Sequence, residues 1–452
     1  MVVMPVGFSS GHWGTLMPFV KACERSGPPP PRPRARPQRL LPPATRLRSD
    51  SIGSLGLAPT PVRADGSLGR DWAAAMMAEW PLVSEEEAHR AMEEFVHKVN
   101  GGLAAYESKR SRADEEGTVS RLSPYLRFGQ LSPRHLYHAV QNAGYGREVT
   151  KTFARRLHWR DLAYYQLHCF PDMAHFPIRR HYAAHAWSDE RTARLHAWQR
   201  GRTGYPMVDA GMRALYATGW MHQSVRMVCA SFLIEYLGVS WVDGAAWFAD
   251  TLVDADLAIN SMMWQNAGRS GIDQWNFVLS PENGSQDPSG NYCRKWVPEI
   301  AKLPAKHIHT PWQAPADVLA KAGVVLGRDY PERILVDLNA AREQTVGALL
   351  AMRAGALERN DARGYDLIRL PNGESTVVFT KQEYRIDDAG RPKEPRPRVS
   401  QGGGRGGGRG GGRGGGAGRG GRARGGKGGG GSKGPAGAGP GSTPWTIAAQ
   451  AR

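Results

Sequence analysis

Apolar residues between 225 and 237 recur with the period of a helix. Val225, Val228, Cys229, Phe232, Leu233, Tyr236 and Leu237 stand at i, i+3, i+4, i+7, i+8, i+11 and i+12. That spacing predicts one helix with a buried face. A second stripe, Ala88, Met92, Phe95, Val96 and Val99, follows Ser84 and Glu87, the pattern of a capping box. Ser123–Pro124 and Ser132–Pro133 each fit an N-cap followed by proline at the first helical position. No alternating run precedes about position 374; only 374–386 (ESTVVFTKQEYRI) is compatible with a short strand or hairpin. The expectation is an all-α domain over 67–360, with a partly ordered extension over 361–398.

The pattern gives out at both ends. Residues 1–66 contain GPPPPRPRARPQRLLPP, and residues 399–452 are mostly glycine with interspersed arginine. Both bury too little to fold and are predicted to be disordered. The first is Arg-rich and acid-poor, as a basic linker and an organelle transit peptide both are. The net charge of +17 sits in these ends: +6 on residues 1–50 and +9 on residues 401–452. The middle is nearly neutral, so a nucleic-acid surface there needs local clustering of charge. The tail is similar to RGG boxes, which hold RNA or single strands through charge and arginine stacking; an inert spacer has the same composition. No apolar run approaches the ~20 residues that span a bilayer. A soluble intracellular protein with no membrane partner is expected, with nucleus and chloroplast both open. Cys23, Cys169, Cys229 and Cys293 form no CxxC pair, so no metal site is expected.

Polar constellations interrupt the apolar pattern. In DTLVDADLAINSMMWQNAG, Asp256, Asn260 and Trp264 fall at i, i+4 and i+8, one face of a helix. Such a stripe belongs in solvent or opposite a polar partner. Gln223, Arg226 and Met227 lie off the apolar stripe of the 225–237 helix. An arginine there calls for an acid, which the Asp-rich segment can supply, and such a pair serves structure as readily as catalysis. Ser120 and Ser123 flank a proline-started helix, a geometry that suits a phosphate or a plain cap. Of the fourteen tryptophans, Trp187, Trp241 and Trp264 gain interest only as a set.

Together these segments resemble the cryptochrome/photolyase family. The resemblance runs from about residue 72 to 335 and opens on WPLVSEEEA (80–88). It rests on SPYLRFGQLSPR (123–134), GRTGYPMVDAGMRALYATGW (201–220), DADLAIN (254–260) and YCRKWVP (292–298). It implies a helical domain holding FAD in a U shape, with photolyase-like DNA repair, or light sensing without repair, as the activity. Tyr106, Thr118, Ser120, Arg121, Leu122 and Ser123 match the phosphate and ribityl positions, Thr118 standing in for a threonine the family often has where Val119 lies. Asp254 resembles the acid paired with Arg226 beside the flavin, with Ala255 next to it. Asp256 resembles the residue at the N3 edge, and Asn260 the group facing N5. Trp264, Trp241 and Trp187 resemble the proximal, middle and distal members of a photoreduction chain.

The resemblance also bears on the substrate. Trp159, Arg160, Gln223 and Met227 match positions that meet damaged DNA. Asn260 and Met227 are the photolyase-like choices. Arg156 stands where the repair-site glutamate is expected, Asn266 where a second stacking tryptophan is expected, and Gln223 where an asparagine is expected after Gly-Trp-Met-His. Leu47–Ala64 resembles the linker that follows the family's α/β antenna domain, which nothing here resembles; no antenna chromophore is expected.

Overall fold

The computed structural model describes residues 14–393, apart from 27–29, 36, 40, 43, 44, 46, 47, 58–61, 64, 70, 81, 82, 276, 357 and 358. The Gly/Arg tail and parts of the proline-rich stretch and of the linker-like segment therefore lie outside or between the described residues.

Helices make the architecture. We label the ones that matter here α1 (Leu16–Ser26), α2 (Glu85–His97), α3 (Gly102–Lys109), α4 (Ser123–Phe128), α5 (Pro133–Asn142), α6 (Arg147–Cys169), α7 (Pro206–Thr218), α8 (Gln223–Ser231), α9 (Trp241–Thr251), α10 (Leu257–Ala267) and α11 (Leu338–Ala354). Helix α2 starts as its sequence requires. Ser84 Oγ accepts from the Glu87 amide at 3.1 Å, three glutamates fill the first turn, and Ala88, Met92, Phe95 and Val96 are buried. The main core gathers around α7, α8 and α9 and includes the whole predicted stripe from Val225 to Leu237. That stripe is one continuous rod of two kinds: α8 passes at Phe232–Tyr236 into a π-helical turn, closed by the Leu237 amide on the Phe232 carbonyl.

Helix α10 lies between α6 and α9. It is buried nearly all round, with Ala258, Ser261, Met262, Trp264, Gln265, Asn266 and Ala267 all inside. Of its polar members, Gln265 is fully engaged through its amide nitrogen: Nε2 donates to the Met173 and Phe176 carbonyls at 2.9 and 2.7 Å. Helices α9 and α10 interlock through glycine. A Cβ on Gly244 would lie 2.3 Å from the Trp264 ring, and one on Gly268 would lie 2.5 Å from Trp241. Each indole thus lies against the bare backbone of the opposite segment.

Four expectations need correction. Residues 16–26 are helical, not disordered: Phe19, Val20, Ala22 and Cys23 are buried, and α1 packs on α6, with Phe19 5.9 Å from Tyr165 between ring centroids. Their apolar spacing outweighs the proline-rich composition that follows. Helix α4 begins at Ser123 with Leu122 as its N-cap, and Ser132 caps α5 without a side-chain hydrogen bond. Helix α10 begins at Leu257, so Asp256 is its N-cap and not the first member of a helical stripe. The hairpin pairs β1 (Leu367–Arg369) with β2 (Ser375–Val377), starting seven residues before the segment that looked strand-like.

The extension beyond 361 is held by a buried ion cluster. Asp366 meets Arg353 at 2.9 Å and His181 at 2.9 Å, pairs with Arg179, and accepts from Tyr182 at 2.9 Å. Arg179 also donates to the Phe379 carbonyl at 2.6 Å. The four cysteines are free. No helix among the described residues is long and apolar enough to cross a membrane.

Candidate functional site

A cavity of about 780 Å³ opens between α6, α8, α10 and the 119–123 turn, and a smaller chamber of about 70 Å³ adjoins it. The larger volume is in the range of pockets that bury a cofactor. Arg226, Met227, Asp254 and Asp256 wall both spaces.

Asp254 and Arg226 form the pair expected of them. Arg226 Nη2 lies 2.9 Å from Asp254 Oδ2, and its Nε donates to the Met221 carbonyl at 2.8 Å. The Asp254 side chain is only 4% exposed, and its Oδ1 is buried with no hydrogen-bond partner. A buried acceptor left unmet costs ~1–3 kcal/mol, so this oxygen calls for a donor supplied from the cavity. Asn260 reaches the small chamber from α10. Its Nδ2 donates to the Ala245 carbonyl at 3.0 Å, which leaves the amide oxygen as its free acceptor. Ala255 lines the same chamber. Asp256 is on the wall but engaged. Oδ1 caps α10 at the Ile259 amide (3.1 Å), and Oδ2 accepts from Arg160 (2.9 Å) and Tyr164 (2.7 Å).

Tyr106, Ser120, Arg121 and Ser123 line the large cavity. Ser120 Oγ accepts from the Leu122 amide at 3.4 Å, and Ser123 makes no side-chain cap. The Arg121 guanidinium lies between Trp80 and Trp220, 5.1 and 4.9 Å from their centroids. Its own backbone takes φ +51°, which aims the side chain across the turn. Thr118 and Leu122 are not on the wall. Thr118 is buried and donates to the Glu115 carbonyl at 3.1 Å, while Val119 faces the cavity, so the expected stand-in by Thr118 is not made. Leu122 packs in the core beneath α2 and α3.

Trp264 walls the small chamber, with Phe248 5.0 Å and Trp198 6.3 Å from it between centroids. Trp241 is buried one helix away, and Trp187 is half-buried at the margin of the same core, edge-on to His185 at 4.3 Å. The large cavity is also lined by Trp159, Arg160, Gln223 and Met227, together with Arg156 and Asn266.

Several wall residues were not singled out as site residues in the sequence. Trp220, Asp273, Gln274, Trp275 and Phe379 also line the large cavity. Residues 273–275 follow α10 without periodicity, so only the folded chain places them. Burial raises the Asp273 carboxyl above its ordinary range, against the opposing effect of Arg179. Elsewhere, Asp287, Cys293 and His309 approach one another with ligand-type atoms within 4.8 Å. The Asp287 oxygens are taken by the Tyr292 and Cys293 amides at 2.9 and 3.0 Å and by His309 at 3.1 Å, the arrangement of a helix cap.

The donor set fits FAD. An unmet carboxylate oxygen, a free amide oxygen, serines beside a stacked guanidinium and a paired arginine together match a ligand with a polar ring edge and phosphates. Comparison with known proteins agrees. Residues 153–351 match the family model described as the FAD binding domain of DNA photolyase. The deoxyribodipyrimidine photo-lyase of Agrobacterium fabrum is 37% identical over 353 residues, covering 76% of this chain and 70% of that protein. Cryptochrome-1 of Arabidopsis thaliana is 38% identical over 267 residues, 56% of this chain but 39% of its own length. The crystal structure of a bacterial class III photolyase from Agrobacterium tumefaciens superposes with a TM-score of 0.68 at 36% identity, covering 76% of this chain and 70% of that one. The chain belongs to the DNA photolyase/cryptochrome family and carries that family's FAD-binding domain.

Proposed function

We propose that this protein is a blue-light-driven photolyase-like enzyme that repairs pyrimidine dimers in DNA. Bound and reduced, FAD supplies the electron that splits the dimer. The chain's own residues do the rest. Tyr106, Ser120, Arg121 and Ser123 hold the phosphate and ribityl end. Arg226, kept in place by Asp254 and the Met221 carbonyl, sets a positive charge beside the ring. Asn260, anchored on Ala245, offers an acceptor and no acidic proton. Trp264, Trp241 and Trp187 carry the electron inward when the flavin is reduced.

The observation that carries this reading is the wall the two spaces share: Arg226, Met227, Asp254 and Asp256 line both the chamber of Asn260 and Trp264 and the cavity that Trp159 lines. The test is loss of dimers from UV-irradiated DNA by the purified, FAD-loaded protein under blue light. Loss in light and none in darkness supports repair. FAD retained with no dimer loss would favour the second reading, a cryptochrome-like photoreceptor. Arg156 and Asn266 favour that second reading, because they stand on the cavity wall in place of the glutamate and tryptophan that a repair site is expected to have.

A further inference from the structure

A further cleft, of about 640 Å³, shares no wall residue with the two spaces of the flavin site. One wall is the turn 200–202, which follows the helix Arg191–Gln199, and the other is the loop 327–332. The two walls are tied together beneath the surface. Asp209 is fully buried on α7; it accepts from the Thr203 amide at 2.8 Å and from the Tyr330 hydroxyl at 2.6 Å. The Ile334 amide donates to the Thr203 carbonyl at 2.9 Å. Gly204, at φ +77°, lets the backbones meet: a Cβ there would lie 2.4 Å from the Glu332 carbonyl oxygen. The cleft is therefore formed before any ligand arrives.

Some of its charges neutralise each other. Arg213 donates to both Glu299 oxygens, at 2.8 and 2.9 Å, and Arg328 lies 2.9 Å from Asp329. Three others do not. Arg200 and Arg202 on one wall and Glu332 on the other are exposed, and among the described residues their side chains have no ion pair or hydrogen bond. Opposite charges that line one cleft and stay apart leave both signs open to a ligand between them. We propose that this cleft binds a small phosphorylated polyol or sugar, with its phosphate on Arg200 and Arg202 and its hydroxyls on Glu332. Guanidinium forks match phosphate oxygens in pairs. A carboxylate only accepts, so it suits hydroxyl donors and repels a second phosphate. That repulsion weighs against a nucleic-acid strand, whose successive phosphates would meet Glu332. The proposal does not depend on the flavin reading, because the two sites have no residue in common.

The test is calorimetric titration of the full-length, FAD-loaded chain with inorganic phosphate, glycerol 3-phosphate, glucose 6-phosphate and glucose. We expect at least one of the two phosphorylated compounds to bind more tightly than inorganic phosphate, and glucose to bind more weakly than either of them. The double variant Arg200→Ala/Arg202→Ala should weaken every phosphate probe about tenfold or more. Glu332→Ala should bring the phosphorylated compounds down to the affinity of inorganic phosphate, and should leave inorganic phosphate as tight as before or tighter. All three positions are exposed, and unchanged flavin absorbance in the variants shows that the fold is intact. Absence of saturable binding by every phosphate probe overturns the proposal, as does equal affinity in the parent and the double-arginine variant. Inorganic phosphate binding as tightly as both phosphorylated compounds marks an adventitious anion only and overturns it too. Displacement of the bound compound by a short oligo(dT) would assign the cleft to a strand and count against it equally.

Discussion

At the residue scale the strongest feature is an acid that is half satisfied. Asp254 gives one oxygen to Arg226 and keeps the other buried and unmet. Asp254→Asn removes the counter-charge of Arg226 and replaces an acceptor with an amide. FAD affinity should fall about tenfold, equivalent to ~1.4 kcal/mol, read from the flavin-to-protein absorbance ratio after gel filtration. An undiminished ratio would mean that this oxygen does not face the cofactor. Trp264 makes a separate prediction. It combines burial, a place on the chamber wall and contact with Phe248. Trp264→Phe keeps the packing and removes the readily oxidised indole. Light-driven flavin reduction by an external thiol should slow strongly while FAD content holds. Equal rates in variant and parent would leave Trp264 a packing residue only.

At the element scale the interlock of α9 and α10 sets the site. Gly244 allows the Trp264 ring to lie on the α9 backbone, and Leu233 closes in from the π-helical turn. Alanine at 244 gains up to ~1 kcal/mol of helix propensity. Its Cβ, however, would stand 2.3 Å from Trp264 and 2.7 Å from Leu233. Overpacking of that kind costs ~1–3 kcal/mol, so Gly244→Ala should lower stability on balance. Denaturant unfolding reads the difference, and a stabilised variant would show that the helices slide apart freely. The same geometry explains why the polar stripe read along α10 does not face solvent. A helix buried between two neighbours has no solvent face to mark its period.

At the scale of the whole molecule, charge buried behind the cavity wall ties the extension to the domain. Asp366, Arg179 and Arg353 are all fully buried. Asp366→Ala leaves two guanidiniums without their carboxylate and should cost ~3–5 kcal/mol. Proteolysis should then cut first within residues 364–393; cutting elsewhere first would mean the cluster does not hold this segment. Acid should act on two other buried groups. Burial, with Arg269 beside His185 and Arg226 beside His222, lowers both imidazoles from 6.5 to about 4. The unfolded chain therefore takes up protons that the folded chain refuses between those values. Their contribution to stability is intact above pH 6.5 and is lost as pH falls toward 4, by up to ~3 kcal/mol each. Below that, the lowered carboxyl of Asp366 adds its own loss. His185→Phe should flatten the fall in stability between pH 6.5 and 4, as followed by thermal unfolding. An unchanged slope would show that His185 is not buried neutral.

The sequence by itself determined the helical class, the stripe from Val225 to Leu237 and the cap at Ser84, because periodicity and capping are local properties. It also pointed Arg226 toward the Asp-rich segment, since an arginine off an apolar stripe needs an acid, and the family resemblance implied Asp254 within it. Ser120, Ser123, Asn260 and Trp264 reach the cavity walls from segments whose motifs marked them. Tertiary structure decided what local pattern leaves open. Thr118 turns inward to a neighbouring carbonyl, and Asp256 spends its oxygens on a cap, Arg160 and Tyr164. Phe19 and Phe379, 360 positions apart in the chain, both pack against the same domain, one on α6 and one on the cavity wall. Long-range partners of this kind depend on which surfaces close on one another, and no spacing along the chain records that.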